Sequence, residues 1–275
     1  MKYMTFNSAC SFAGIANMLE QYGVDVTDRE IALGMKLPYL FAYDEGAYVS
    51  GPMLQKAEWF NLYLNSIGFV LIEKKIPADQ VVDYLKSQKT AMLGIKMENG
   101  GKHAVVYKGI EADKLLFINN KWENEEAPSE MKFTEEELQE NIEAEFVIAT
   151  LQQVQPAKVC IVEKLEASVS ALQANVLEIE ELCKKEVSIA YLQSKLNTLF
   201  RPLFLDGITM LHLIGETEFA DEWKVMQGNL LDAIRADKNQ CIQLGEYIST
   251  DKLQVLAQRY VELITIELEK EKLEV

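Results

Sequence analysis

Histidine is nearly absent from this chain. The 275 residues hold only His103 and His212, so any imidazole working as a general base near neutral pH is one of these two. Cysteine is scarce as well. Cys10, Cys160, Cys183 and Cys241 form no CxxC pair, and neither histidine stands at zinc-ligand spacing from them, so no metal and no cofactor is expected. No apolar run approaches the ~18 residues that span a bilayer, which argues against a membrane partner. The N-terminus carries one basic residue, Lys2, and Asn7 and Asn17 interrupt any apolar core, so it does not read as a secretory signal. Free thiols in a reducing cytoplasm are the expectation that follows. Positive charge is short too. With 27 Lys and Arg against 43 Asp and Glu, the net charge is 27 − 43 = −16, which repels a phosphate backbone and argues against nucleic acid as a partner. Split at Gln155, the balance is 14 − 23 = −9 before and 13 − 20 = −7 after, so the acidity is spread rather than gathered in a tail.

What is present is ordinary globular material: 49% hydrophobic and 25% charged residues, in a length suited to one or two domains. The character changes near residues 152–158. Before them apolar runs, turns and short helical patterns alternate; after Pro156 only Pro202 breaks a helical pattern. The expected fold class is α+β, with a mixed domain at 1–153 carrying a small antiparallel sheet and an all-helical domain at 154–275. Ile15, Met18, Leu19 and Tyr22 form one stripe of a helix over 8–22, with Ser8 as its N-cap and Gly23 as its C-cap. Thr27 and Glu30 form a capping box for a second helix. Residues 37–52 read as a long loop whose aromatics, Tyr39, Phe41, Tyr43 and Tyr48, exceed what a solvated loop needs and are candidates to line a substrate cleft. A helix over 53–67, a strand over 69–72 and a helix over 78–88 follow. Strands are expected at 90–96, 103–110 and 115–119, the last two as an antiparallel hairpin, then a short helix at 134–142 and a strand at 146–151. Helices are expected at about 157–185, 187–214, 217–236 and 250–272. His212, inside MLHLIG, reads as a core histidine, and Cys160, Cys183 and Cys241 as buried helix residues.

The order Cys10, His103, Asn119 carries the chemistry. Cys10 falls in the first turn of a helix, where free N–H groups and the macrodipole favour a thiolate. His103 opens one hairpin strand and Asn119 closes its partner, so the spacing allows the two to be neighbours whatever the wider fold. A nucleophile, a base and an amide that orients the base form the Cys-His-Asn version of a catalytic triad. A register shift of one residue would put Asn120 in that third place.

The run CSFAGIANMLEQYG at 10–23, with HAVVYKGIEADKLLFINN at 103–120, resembles papain-like cysteine peptidases of the double-glycine leader type. The aromatic Gly/Pro loop and the helical extension are similar to the butirosin biosynthesis protein H type of acyltransferase. The likeness covers roughly residues 3–151. It implies a papain-like fold and a cysteine-dependent hydrolase or acyltransferase acting on an amide or thioester. The implied partner is a peptide or small acyl substrate, free or carrier-bound. Leader peptidases carry a Gln about six residues before the nucleophile to complete the oxyanion hole; here Met4 holds that place, and Asn7 is the nearest candidate donor. Ser11 replaces the usual Gly, and an Asn the usual Asp. A thioester asks less of the oxyanion hole than an amide, so these departures weaken proteolysis more than thioester chemistry. The alternative is a non-catalytic scaffold whose helical part serves binding or homodimerisation.

Overall fold

The computed structural model describes residues 1–6, 9–96, 101–143, 145–235 and 240–274. In chain order the elements are α1 (Cys10–Glu20), α2 (Asp28–Gly34), β1 (Phe41–Asp44), β2 (Ala47–Ser50), α3 (Ala57–Leu64), β3 (Phe69–Pro77), α4 (Val81–Lys86), β4 (Ala91–Lys96), β5 (Lys102–Glu111), β6 (Lys114–Asn119), β7 (Glu130–Phe133), α5 (Glu135–Glu140) and β8 (Glu145–Gln153). There follow α6 (Val162–Cys183), β9 (Glu186–Ser188), α7 (Ile189–Lys195), α8 (Ile208–Leu213), α9 (Thr217–Ile234), β10 (Cys241–Gln243) and α10 (Thr250–Leu273). They divide into two compact units: Met1–Met35 with Gln55–Val159, and Lys36–Leu54 with Cys160–Val275. The boundary thus falls at Val159 rather than at 153, and a segment from the first third of the chain belongs with the second unit.

The first unit is built on a six-stranded antiparallel sheet in the order β3-β8-β4-β5-β6-β7. On one face Leu93, Ile95, Val105, Tyr107, Phe117 and Ile148 form a core with Val82 and Leu85 of α4 and Leu138 of α5. These apolar residues alternate along their strands with residues of the other face, the period-two pattern of a sheet. On that other face α1 lies close to the sheet at Gly14. A Cβ there would run into the Met92 side chain and come 2.8 Å from Asn120 Nδ2, so glycine lets the helix come this close without displacing either side chain. The helix is buried along Phe12, Ile15, Met18 and Leu19. Phe12 also meets the Phe60 ring edge-on at 4.9 Å, which joins α1 to α3. The Thr27 and Thr134 capping boxes form as their sequences indicate.

The second unit is not all-helical. Two short ribbons, β1–β2 and β9–β10, accompany its helices. Segment 36–54 is woven into its core rather than looped out. Phe41 is 3% exposed, with its ring edge-on to Tyr260 at 5.1 Å, and the Tyr260 hydroxyl donates to the Pro38 carbonyl at 3.0 Å. Ser50 Oγ donates to the Pro202 carbonyl at 2.8 Å, and the Phe41 N–H to Ser168 Oγ at 3.0 Å. Lys36 pairs with the buried Glu267 and Glu271 at 2.5 and 3.2 Å. Pro202 does not break the helix: the run continues from Ile189 to Leu213, widened into π-helical turns at Leu196–Phe200 and Pro202–Gly207 on either side of Arg201, where the missing proline N–H is accommodated. Asp206, 3% exposed and bonded to Arg201 at 2.9 Å, has its carboxyl pushed up to about 6 by burial. No helix among the described residues is long and apolar enough to cross a membrane.

Candidate active site

Cys10 is the first residue of α1, half-buried, preceded by Ala9 with no side-chain cap. The expected cap, Ser8, and the expected oxyanion donor, Asn7, lie outside the described residues. The helix's own first N–H, that of Cys10, bonds the sulfur. The Ala104 N–H, on β5, donates to Cys10 Sγ at 3.3 Å. His103, the residue before it, forms a side-chain hydrogen bond with Cys10. One strand thus delivers a backbone donor and an imidazole to one sulfur.

Register explains how Asn119 joins them. Val105 stands opposite Asn119, so His103, two residues along β5, shares a sheet face with Asn119 and is its diagonal neighbour. His103 Nε2 lies 2.5 Å from Asn119 Oδ1. The Asn119 amide is itself held, its Nδ2 donating to the Pro128 carbonyl at 2.8 Å. That leaves Oδ1 as acceptor, so Nε2 carries its proton and Nδ1 is the nitrogen that serves the sulfur. The side chain is 5% exposed, which shields this bond from water.

Asn120 has a different place. Adjacent strand residues face opposite ways, so it points to α1 rather than to His103. Its Nδ2 donates to the Ala104 carbonyl at 3.1 Å, and its Oδ1 accepts from Asn17 Nδ2 at 2.9 Å. Asn17 in turn bonds Lys2 through both of that residue's backbone groups, at 2.6 and 3.0 Å. This fully buried amide chain ties α1 to the hairpin and fixes Ala104, and through it the sulfur.

Electrostatics follows from these contacts. Burial pushes the Cys10 thiol up. The His103 hydrogen bond, the Ala104 N–H, the His103 charge and the helix's own first N–H outweigh it, and the thiol lies below its ordinary value. The bond to Cys10 raises His103; burial opposes this, and the Cys10 charge, Asn119 and Glu125 add to it. Each partner favours the charged form of the other, so the pair tends to thiolate and imidazolium.

Sequence reasoning missed two contributors. A backbone donor such as Ala104 carries no side-chain signature. Gln55, whose Oε1 accepts from Ser11 Oγ at 3.0 Å, comes from a stretch with no motif. Of the aromatic candidates, all four belong to the second unit. Phe41 is core there, Tyr39 is half-buried, and Tyr43 and Tyr48 form a ring pair at 4.9 Å across the β1–β2 hairpin, with Tyr43 exposed. His212 is exposed rather than buried, because it falls between Leu211 and Leu213 on the outward side of α8. Cys160 and Cys241 are exposed as well; Cys183 alone of the three is buried. Among the described residues no cluster of three or more His, Cys, Asp or Glu could hold a metal ion.

No protein-family model matches the chain, and no curated protein matches it. Among solved structures, it is similar to the peptidase domain of Streptococcus ComA, a bi-functional ABC transporter involved in a quorum-sensing pathway. The likeness has a TM-score of 0.38 and 13% identity, and covers 54% of this chain and 96% of that one.

Proposed function

We propose that this chain is a papain-like, cysteine-dependent acyl-transfer enzyme acting on a thioester or amide, with a peptide or small acyl substrate, free or carrier-bound. The observation that carries the reading is the continuous bonded series Cys10, His103, Asn119, Pro128, which ends on a half-buried thiol at a helix start. Cys10 Sγ attacks the carbonyl carbon and forms the new C–S bond. The carbonyl electrons move onto oxygen, held by the Cys10 N–H, with Asn7 as a second donor. As the carbonyl re-forms, the bond to the leaving nitrogen or sulfur breaks and His103 Nδ1 gives that atom its proton. The acyl-enzyme is then attacked by water, an amine or a thiol, whose proton returns to His103 as the Cys10 thiolate leaves. Asn119 acts through His103 and is a positioning residue. Met4, at the place where the similar peptidases have Gln, offers no side-chain donor, which favours a thioester over an amide as acyl donor.

The test is alkylation by iodoacetamide at about pH 6–7, followed by acyl donors. Selective modification of Cys10 that is lost in His103→Ala, and a Cys10 acyl adduct from thioester donors read by intact mass, are the expected results. A Cys10 that labels no faster than exposed Cys160 and takes no acyl group from thioesters or peptides overturns the proposal and leaves a binding scaffold.

A further inference from the structure

A row of residues crosses the sheet on the α1 face and ends at the thiol. Lys75 pairs with Val147, and Gly94 pairs with Ala104, whose N–H bonds Cys10 Sγ. The β4–β8 register, Leu93 with Ile148, places Gly94 beside Val147 one step further on. Lys75, Val147, Gly94 and Ala104 thus stand side by side on β3, β8, β4 and β5. Three strand spacings of about 4.8 Å make the row roughly 14 Å long. Its floor is open. Gly94 is exposed and a Cβ there would meet nothing within 4 Å, while Val147 is 43% exposed. Lys96 and Lys102, paired with each other two residues from Gly94 and Ala104, continue the same face. Lys75, Val147, Gly94, Lys96 and Lys102 line one cavity of about 330 Å³ in the first unit, and Ala104 stands next to Gly94 just outside that lining.

The charge of this cavity runs against that of the chain. The net charge is −16, yet Lys75, Lys96 and Lys102 meet here. Glu143 neutralises Lys102 at 3.0 Å. Glu73, on the same strand face as Lys75, is bonded by the Ala57 N–H. Lys75 and Lys96 have no ion-pair partner among the described residues. Two unneutralised ammonium groups beside an open apolar floor, leading to a nucleophile, suit a substrate with an anionic end.

We propose that this cavity is the substrate's anion subsite: it binds a carboxylate or phosphate carried about 10 Å from the reacting carbonyl, with the intervening chain lying over Gly94 and Val147. The inference rests on Cys10 as the reacting group, and its test is read independently of how reactive that thiol is. The probes are 6-(iodoacetamido)hexanoate, its neutral primary amide, and the corresponding phosphonate. Each forms a Cys10 S–C bond as iodide leaves. The ratio of acid to amide rate reports the cavity, while the absolute iodoacetamide rate reports the thiol.

At low salt the acid is expected to label Cys10 about tenfold faster than the amide, although the negative field of the whole chain opposes it. The preference should fade at about 0.5 M salt and fall to parity in the Lys75→Ala/Lys96→Ala variant. Gly94→Ile should slow both long reagents relative to iodoacetamide. The larger of the carboxylate and phosphonate ratios names the group. Parity in the wild type, or a preference that survives the double variant, overturns the subsite and leaves the acyl-transfer reading intact. A slow Cys10 that still prefers the acid overturns the latter and leaves the subsite.

Discussion

Cys10 and Cys183 stand at opposite ends of helices, the first residue of α1 and the last of α6, and both are shielded from solvent. Their thiols move in opposite directions. Cys183, in apolar surroundings with Glu180 one turn away, is pushed up to about 11, burial first and the carboxylate second. Burial raises Cys10 too, yet it lies below its ordinary value, because His103, Ala104 and a helix N-terminus face it. Burial sets how strongly a thiol feels its neighbours, and the neighbours set the sign.

The largest expected effect is within this pair. Near pH 7 a thiol with a value of about 11 is about one part in 10⁴ thiolate. Cys183 should therefore alkylate at least about a hundredfold more slowly than the exposed Cys160 and Cys241, and Cys10 faster than either. Peptide mapping after a timed iodoacetamide pulse gives all four rates. Rapid labelling of Cys183 in the folded protein would break the contrast.

His103→Ala comes next. It removes the main group that lowers Cys10 and leaves the burial that raises it. The midpoint of the Cys10 labelling profile should then move to higher pH, with the rate at about pH 6 falling at least about tenfold. The sign is fixed: a lowered thiol keeps its thiolate as pH falls, and the variant loses it sooner. A profile that does not move would place the cause elsewhere.

The two adjacent asparagines sharpen the comparison further. Asn119→Ala should slow Cys10 acylation several-fold with little loss of stability, and Asn119→Asp, which keeps an acceptor for Nε2, should restore part of the rate. Asn120→Ala should do the converse. It removes the buried acceptor of one Asn17 Nδ2 proton and the side-chain donor to the Ala104 carbonyl, and should cost about 1–3 kcal/mol in denaturant melts. Equal kinetic losses in the two variants would remove the distinction between them. The smallest effect on labelling is expected at Gly14→Ala, where the added methyl meets Met92 and Asn120: a stability loss of about 1–3 kcal/mol, like that of Asn120→Ala, with only a modest slowing of Cys10 labelling as α1 shifts.

Part of the candidate site's arrangement is legible in the sequence. A hairpin makes its first and last residues neighbours, so His103 and Asn119 follow from strand pattern alone; the choice between Asn119 and Asn120 needed the register, since one residue reverses the face. The joining of Cys10 to that hairpin rested on resemblance, because nothing local links residues 94 apart. Segment 36–54 was the hardest to place. Its aromatics announce burial without saying against what, and Phe41 finds Tyr260 far along the chain. The ribbons β1–β2 and β9–β10 are three or four residues long, too short for alternation to register.

The threading of 36–54 through the second unit has a consequence for synthesis. Leu37, Leu40, Phe41 and Leu54 are made well before α6 and α10, which supply Ser168 and Tyr260 to Phe41. Until those helices are made this stretch waits as exposed apolar chain, a natural client for a chaperone. Truncating the gene after residue 159 would make that wait permanent. A soluble catalytic fragment should therefore need 36–54 replaced by a short polar linker as well as the C-terminal helices removed.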